Sequence, residues 1–208
     1  MDASAADRHH AILGRYLPQE AVEWVYLYLN LHSVHLRIAR ERRTKLGDYR
    51  APYAGHPQHE ISVGGNLPKH LFLWVFLHEA AHLNTRLFAP AAAPHGHEWQ
   101  AEYARLLADH LEWFPPDLQP LIARYARRVP LNHTLGRKIE AALRNLDPHR
   151  VPSPTLDQQQ PGIRFRLKSQ PDRLFEALHK RRTRWLCRCL DDEREYLVAG
   201  AAEIIPEC

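Results

Sequence analysis

One stretch of the chain restricts the fold more than any other, the apolar run LPKHLFLWVFLHEAAHLNTRLF at positions 67–88. A helix that is apolar almost all round belongs in a protein core, and Pro68 stands where a first helical turn accepts proline. His78, Glu79 and His82 interrupt this apolar surface, and burying them is costly unless they are paired or bind a cation. The sequence therefore predicts a buried helix with a polar site within it.

The polar residues of this helix have the spacing of a metal site, since residues 78–82 read HEAAH, an HExxH pattern. Four residues make slightly more than one helical turn, so the imidazoles of His78 and His82 leave the same face and can bind one ion. Glu79 lies beside them, where it can reach a water on the metal rather than the metal itself. We predict His78 and His82 as metal ligands and Glu79 as the general base.

A catalytic zinc also needs a third protein ligand and one open position. The metzincin pattern would require Gly at position 85 and His at position 88, but the chain has Thr85 and Phe88, which excludes that class. Spacing leaves several acceptable ligands open, and the loop after His82 is long enough to return any of them to the helix. The candidates are His95, His97, Glu98 and Glu102, and spacing favours His95 among them.

The stretch HEAAHLNTRLFAPAAAPHGHEW resembles the SprT-like zinc metallopeptidases, whose pattern is HExxH, a loop, and then H-G-x-E-[F/W]. The upstream stretches RRTKLGDYRAP and HEISVGGNL are also similar to this family, in which they form strands beside the active-site helix. The resemblance covers roughly residues 18–115. It implies a zincin-like fold and one zinc ion, with Glu79 as the general base and His97 at the variable position of the motif. The implied zinc ligands are His78, His82 and His95.

Proteases of this family act on proteins associated with nucleic acid, and the Spartan proteins of eukaryotes cut protein crosslinks from DNA. The resemblance thus implies a zinc-dependent endopeptidase with a protein substrate and with DNA or nucleoprotein as a candidate partner. Two other functions stay open. One is a nucleic-acid-binding, transcription-associated adaptor with a structural metal site, and the other is a zinc peptidase without a nucleic-acid role.

Four residues are candidates for stabilising the oxyanion of a tetrahedral intermediate, namely Tyr49, Arg50, His59 and Tyr103.

A chain of 208 residues is long enough for one or two domains. Hydrophobic periodicity predicts an α+β fold for its first part. The expected elements are helices over 17–30, 67–88 and 98–112 and strands over 34–39 and 59–63. With the resemblance, this predicts a zincin-like SprT metalloprotease domain at residues 1–115.

The rest of the chain separates into an extension and a small β domain. A polar helical stretch and a proline-rich segment predict a helical extension and linker over residues 116–155. Beyond it, strands are expected over 162–168, 185–189 and 196–199. The stretch KRRTRWLCRC…REYLVAGAAEI resembles the ribbon-less tail of some bacterial SprT-like proteins, which implies an SH3-like or OB-like barrel over residues 156–208. The chain has no CxxC pair, so a second zinc is not expected.

Charge is unevenly distributed in this tail. The window 164–188 has nine basic and two acidic residues, whereas the last twenty residues sum to −5. A basic face with interleaved Phe165, Phe175 and Trp185 suits nucleic acid, by phosphate contact and base stacking. The alternative is a solvated basic strand face with the aromatic residues in the core, which is favoured for Phe165. The predicted nucleic-acid contacts are Arg164, Arg166, Lys168, Lys180, Arg181, Arg182 and Arg184.

The N-terminal sequence and the hydropathy predict a cytoplasmic location without membrane contact. No apolar run reaches the length of a spanning helix, and MDASAADRHH lacks the features of a secretory signal. Three cysteines, Cys187, Cys189 and Cys208, fit a reducing compartment. A net charge of +4 permits a polyanionic partner without requiring one.

Overall fold

A computed structural model of the chain describes residues 3–40, 45–129, 133–146 and 154–207. The chain divides into two compact units, Met1–His149 and Arg150–Cys208. Helices dominate the first unit and strands the second, so the expected α+β class is confirmed at that level. No helix within the described ranges is both long enough and apolar enough to cross a membrane.

The described part of the first unit contains six α-helices. Helices α2 and α3 each begin directly after a proline, so Pro18 and Pro68 are N-cap residues, and Pro68 lies one position before the first helical position expected for it. Helix α1 was not predicted, and the polar stretch after residue 118 forms two helices, α5 and α6, rather than one. The bounds are α1 Ala3–Tyr16, α2 Gln19–Leu31, α3 Lys69–Phe88, α4 His97–Asp109, α5 Gln119–Ala126 and α6 His133–Arg144.

A three-stranded sheet lies beside these helices, with strands β1 Val34–Ala39, β2 Gly47–Arg50 and β3 His59–Gly64. The strand order is β1-β3-β2, with β1 parallel and β2 antiparallel to β3. Ile61 of the central strand is fully buried and is in register with Leu36 on one side and Tyr49 on the other. Strand β2 is therefore an edge strand, and it packs against α3.

Helix α3 is the centre of the first core. Helices α1, α4 and α6 and strands β2 and β3 pack on it, which explains why its sequence is apolar on nearly every face. Its Phe76 is fully buried, and burial of such a side chain contributes about 1.5–3 kcal/mol. Ile122 of α5 and Ile139 of α6 belong to the same core, so these helices of the expected extension fold with the first unit.

The second unit is an antiparallel sheet of five strands in the order β7-β6-β5-β4-β8. Three of these strands, β4, β6 and β7, match the strands expected from alternation. Strand β5 was not predicted. Its apolar residues do not alternate regularly, and its pairing with β6 shifts register between Ala177 and His179. The bounds are β4 Arg164–Leu167, β5 Gln170–Lys180, β6 Arg184–Cys189, β7 Glu195–Ala199 and β8 Ile204–Pro206.

Candidate functional site

Three imidazoles converge at the surface of α3. His78 and His82 extend from the helix, and His95 comes from the loop before α4. The Nε2 atom of His95 lies 3.0 Å from that of His82 and 3.2 Å from that of His78. Nitrogen ligands of a tetrahedral zinc, each 2.0–2.1 Å from the metal, are about 3.3 Å apart. The three side chains can therefore hold one metal ion.

A tight turn brings His95 to the helix. His95 has a φ of 58°, in the left-handed region that His adopts more readily than most residues. The next residue, Gly96, donates its backbone N–H to the Ala93 carbonyl at 2.8 Å, and a Cβ at position 96 would lie 2.9 Å from that same oxygen. The Gln100 side chain donates to the carbonyl of His95 at 2.9 Å. Glycine at position 96 is thus required for the loop that presents His95.

The other candidates for a third ligand lie outside this group. His97 and Glu98 are exposed in the first turn of α4. The Glu102 carboxylate accepts hydrogen bonds from the Asn84 amide and the Arg105 guanidinium, both at 2.6 Å. The structure therefore brings together His95 with the HExxH histidines, and of the four residues allowed by spacing it selects this one.

Trp99 supports the histidine group from within the core. Its ring centroid lies 4.7 Å from that of His78, 5.1 Å from that of His82 and 4.5 Å from that of His95, and the residue is 1% exposed. The sequence predicted Trp99 only as a core residue. Its contact with all three imidazoles makes it part of the support of the site.

Burial keeps two of the imidazoles neutral. Together with a smaller effect of repulsion from neighbouring imidazoles, it lowers the pKa of His78 to about 3 and that of His82 to about 4. A neutral imidazole has a free lone pair and is the form that binds a metal. The protonation states of these side chains at neutral pH therefore suit a metal site.

Glu79 is a buried carboxyl at the same place on α3. Burial and, to a smaller extent, the Asp48 charge raise its pKa to about 8, while Lys45 and the backbone N–H of Tyr49 act in the opposite direction. A carboxyl with a pKa near neutrality can both take up and release a proton during a reaction. A cation held by the histidines would favour its ionised form.

Edge strand β2 approaches Glu79 at Gly47. A Cβ at position 47 would lie 2.8 Å from Glu79 Oε1 and 2.5 Å from Val75 Cγ1. Only glycine allows this strand to pass so close to the helix. Residues 47 and 48 were expected to form a turn, and nothing in their local sequence shows that the distant Glu79 carboxyl packs on Gly47, which lies in β2.

A cleft of about 370 Å³ opens in front of the histidines. Residues 45–48, the three histidines, Glu79 and Glu140 of α6 all line this cleft. The site is therefore accessible to a ligand larger than water. Of the groups predicted to stabilise an oxyanion, Tyr49 lines the adjoining cavity, and its hydroxyl lies 2.9 Å from His59 Nδ1.

The two remaining oxyanion candidates are engaged elsewhere. Tyr103 is fully buried and donates its hydroxyl to the Trp74 carbonyl at 3.3 Å. Arg50 is half exposed and pairs with Asp48 at 3.1 Å. Neither therefore presents a donor to the cleft.

A polar network behind the site was not predicted. The Tyr28 hydroxyl donates to Asn84 Oδ1 at 2.7 Å, and the Asn84 amide donates to Glu102. Arg105 contacts the same carboxylate through two nitrogens, at 2.6 and 3.0 Å. The network joins α2, α3 and α4. Glu102 and Arg105 are neighbours on α4, but Tyr28, Asn84 and Glu102 are far apart in the sequence, and no local pattern connects them.

The basic residues of the second unit divide into two sets. Arg166 pairs with Glu207 at 2.5 Å, and Lys168 pairs with Glu203 at 3.3 Å. Arg164 is in register with Glu176, Glu176 with Arg188, and Arg188 with Glu195, so charges alternate across the sheet. The strand residues of the predicted contact set thus have acidic neighbours.

The second set lies in the turn between β5 and β6. Arg181, Arg182 and Arg184 are exposed there, and the backbone N–H of Arg181 donates to the Arg184 carbonyl at 2.7 Å. Lys180 pairs with Asp157 at 3.0 Å. The excess of positive charge is therefore concentrated at this turn.

The aromatic residues of the basic window do not form stacking platforms. Phe165, Phe175 and Trp185 are all buried, with exposures of 0%, 1% and 3%. They form the core of the second unit together with Cys187 and Cys189. The interpretation of Phe175 and Trp185 as base-stacking residues is wrong, because strand alternation turns these side chains inward, as expected for Phe165.

Comparison of the chain with protein-family models, curated proteins and solved structures gives no match. Its function is therefore inferred from the geometry and chemistry of this site.

Proposed function

We propose that the first unit is a zinc-dependent endopeptidase of the SprT-like type. The observation that carries the proposal is the convergence of the His78, His82 and His95 Nε2 atoms at the floor of an open cleft, with the carboxyl of Glu79 in the same cleft. A structural zinc site has four protein ligands and excludes solvent, whereas a catalytic site has three and an open position. Among the described residues, the group of metal-binding side chains has three members.

The three histidines would hold the zinc ion through their neutral imidazoles. Bound zinc supplies a Lewis acid that lowers the pKa of a water molecule and polarises a peptide carbonyl. Glu79 accepts the proton of the attacking water and then delivers it to the leaving amine. The backbone of β2 near Gly47 and Tyr49 holds this carboxyl in place.

Strand β2 offers a means of binding an extended peptide. It pairs with β3 along one edge, and among the described residues no strand pairs with its other edge. Residues 47 and 48 of this strand line the cleft that contains the histidines. An extended peptide can add to such an edge by backbone hydrogen bonds, and a substrate bound in this way would cross the proposed metal site.

The test is cleavage of an unfolded protein and of the chain itself after zinc loading. We expect cleavage by the wild type, none after chelation, recovery with added zinc, and none by Glu79→Gln. Glu112→Gln, an exposed carboxylate in the 3-10 helix after α4, is the matched control and retains activity. Cleavage that persists in Glu79→Gln would contradict the proposal, as would a zinc-loaded wild type that cuts no protein or peptide substrate.

Two finer structural assignments follow from the same resemblance. The first unit is proposed to have the zincin-like SprT fold, and the second an SH3-like or OB-like barrel. The α3 helix with a sheet edge beside its HExxH segment supports the first assignment. The five-stranded antiparallel order of the second unit supports the other.

A role on nucleic-acid-associated proteins is a second proposal, supported by the exposed arginines of the β5–β6 turn. Arg181, Arg182 and Arg184 provide three guanidinium groups suited to phosphate contact. Replacing all three with Gln is expected to weaken binding of a fluorescent single-stranded DNA and to flatten its salt dependence. The matched triple variant at Arg164, Arg166 and Lys168 keeps most of the affinity. Absence of DNA binding by the wild type, or a greater loss in the matched variant, would overturn this assignment.

A further inference from the structure

A second cavity adjoins the metal cleft on the side of α6. Its volume is about 420 Å³, and His78 and His95 form one edge. The walls are mainly aromatic, and α6 contributes Gly136, Arg137 and Glu140 to the lining. The aromatic walls are formed by Trp74, Trp99, Tyr103 and Tyr125. Two of the three histidines border this cavity. A substrate side chain that enters it would therefore belong to a residue next to the peptide bond positioned at the metal site.

Glu140 lies where the cavity meets the cleft, since it lines both. Its carboxylate is partly buried and accepts a hydrogen bond from the Trp74 indole. Among the described residues, none forms an ion pair with Glu140. Burial raises the pKa of this carboxyl, and the nearby Arg144 and Arg137 lower it by a smaller amount. A carboxylate that is anchored but lacks a paired cation is a recognition group for a cation.

The walls match the same kind of ligand. Aromatic faces attract ammonium and guanidinium groups, and the methylene stem of Lys or Arg packs well on apolar rings. A neutral side chain of the same length would leave the Glu140 carboxylate partly desolvated without a paired cation, which is unfavourable. The aromatic walls and the Glu140 carboxylate therefore favour a long basic side chain over a long neutral one.

We propose that this cavity is a specificity subsite for a Lys or Arg side chain of the substrate next to the scissile bond, with Glu140 as the specificity-determining residue. The inference rests on the proposed endopeptidase function for its catalytic meaning. It concerns helix α6, which lies outside the residues that resemble the SprT-like family.

Binding is measured first, because it does not require cleavage. The zinc-loaded Glu79→Gln protein is titrated with N-acetylated alanine-based peptides that contain one Lys, one norleucine or one Glu. We expect the Lys peptide to bind roughly tenfold more tightly than the norleucine peptide, a ratio typical of one charged contact in a partly desolvated site. Adding the substitution Glu140→Gln is expected to remove this difference in affinity, and Glu140→Lys is expected to favour the Glu peptide. The control substitution Glu112→Gln should leave the preference for the Lys peptide unchanged.

Cleavage of a positional peptide library by the wild type is measured second. Cuts next to Lys or Arg that lose this preference in Glu140→Gln support the subsite. The subsite would be overturned by Glu79-dependent cuts that show no preference for a basic residue, or by a preference that is unchanged in Glu140→Gln. It would also be overturned if the cut sites were determined by a free N-terminal amine of the peptide rather than by a Lys or Arg side chain. A Glu140-dependent binding preference without any cleavage would retain the cation subsite and refute the endopeptidase proposal instead.

Discussion

Gly47 and Glu79 are in contact across the boundary between sheet and helix, so that a Cβ on Gly47 would lie 2.8 Å from Glu79 Oε1. The same atom would lie 2.5 Å from Val75 Cγ1, a distance that real Cβ atoms do not adopt. The position of the proposed general base is therefore determined by the absence of a side chain on the neighbouring strand. Local movement of either element would displace the carboxyl from the metal site.

Gly47→Ala is accordingly expected to reduce Glu79-dependent cleavage by more than about tenfold and to destabilise the first unit by about 1–3 kcal/mol, as overpacking generally does. Zinc content should stay near one per chain, since the histidines are on other elements. Gly14→Ala in α1 is the matched control, because a Cβ there meets only Gln19 Oε1, at 3.8 Å. Kinetics, zinc content and thermal unfolding are measured for both variants, and full activity in Gly47→Ala would refute this role for the contact.

Zinc binding should depend on His95 and not on its neighbour in the motif, His97. The His95 Nε2 atom is within 3.2 Å of those of both helix histidines, whereas His97 is exposed at the start of α4. His95→Ala is expected to weaken zinc binding at least about 100-fold, the upper end of the losses seen for outer-sphere groups. His97→Ala should bind one zinc with unchanged affinity. Competition with a chromogenic chelator gives both constants, and similar constants for the two variants would contradict the ligand assignment.

The two helix ligands could be predicted from the sequence because the geometry of HExxH depends on one helix alone. His95 required more, since spacing also allowed His97, Glu98 and Glu102. Its position depends on a left-handed residue followed by a glycine, a conformation that the sequence permits but does not dictate. Spacing already favoured His95 among these four without excluding the others, and the resemblance to SprT-like proteins pointed to the same residue, which the structure brings to the helix.

Contacts between distant segments could not be predicted. Gly47 and Glu140 both line the cleft, and each comes from an element whose local pattern says nothing about the site. The basic window was misleading for a related reason. Counting charges along the chain gives +7 for residues 164–188, but strand register brings Glu176 between Arg164 and Arg188.

The network behind α3 should contribute stability without taking part in zinc binding. Tyr28 is 6% exposed, and its hydroxyl donates to Asn84 Oδ1 at 2.7 Å. Tyr28→Phe removes the donor and leaves a partly buried amide oxygen without this partner, which is expected to cost about 0.5–1.5 kcal/mol of unfolding free energy. Chemical denaturation with zinc titration checks both statements. Tyr53→Phe, at an exposed position, serves as the control, and a large loss of zinc affinity in Tyr28→Phe would indicate that the network also orients the ligands.

His110 should make the protein less stable in mild acid, independently of the metal site. Its ring stacks on Trp113 with centroids 3.9 Å apart and meets Trp24 at 4.3 Å, and the residue is 8% exposed. Burial lowers the pKa of His110 to about 4, with Asp109 opposing and Arg105 assisting. Between roughly pH 4 and 6.5 the unfolded chain binds a proton at this residue that the folded protein does not. The free energy of unfolding therefore decreases as the pH falls through this interval.

His110→Phe keeps an aromatic ring between Trp24 and Trp113 and removes the titrating group. The variant is expected to lose less stability than the wild type between about pH 7.5 and 5.5, because one of the protons taken up on unfolding is absent. Both proteins are measured in chelator, so that protonation of the zinc ligands affects them equally. His35→Phe, at an exposed position of β1, should follow the wild-type pH dependence. Equal losses of stability for His110→Phe and the wild type would mean that His110 is protonated in the folded state. Its packing against Trp24 and Trp113 would then not exclude the charged form.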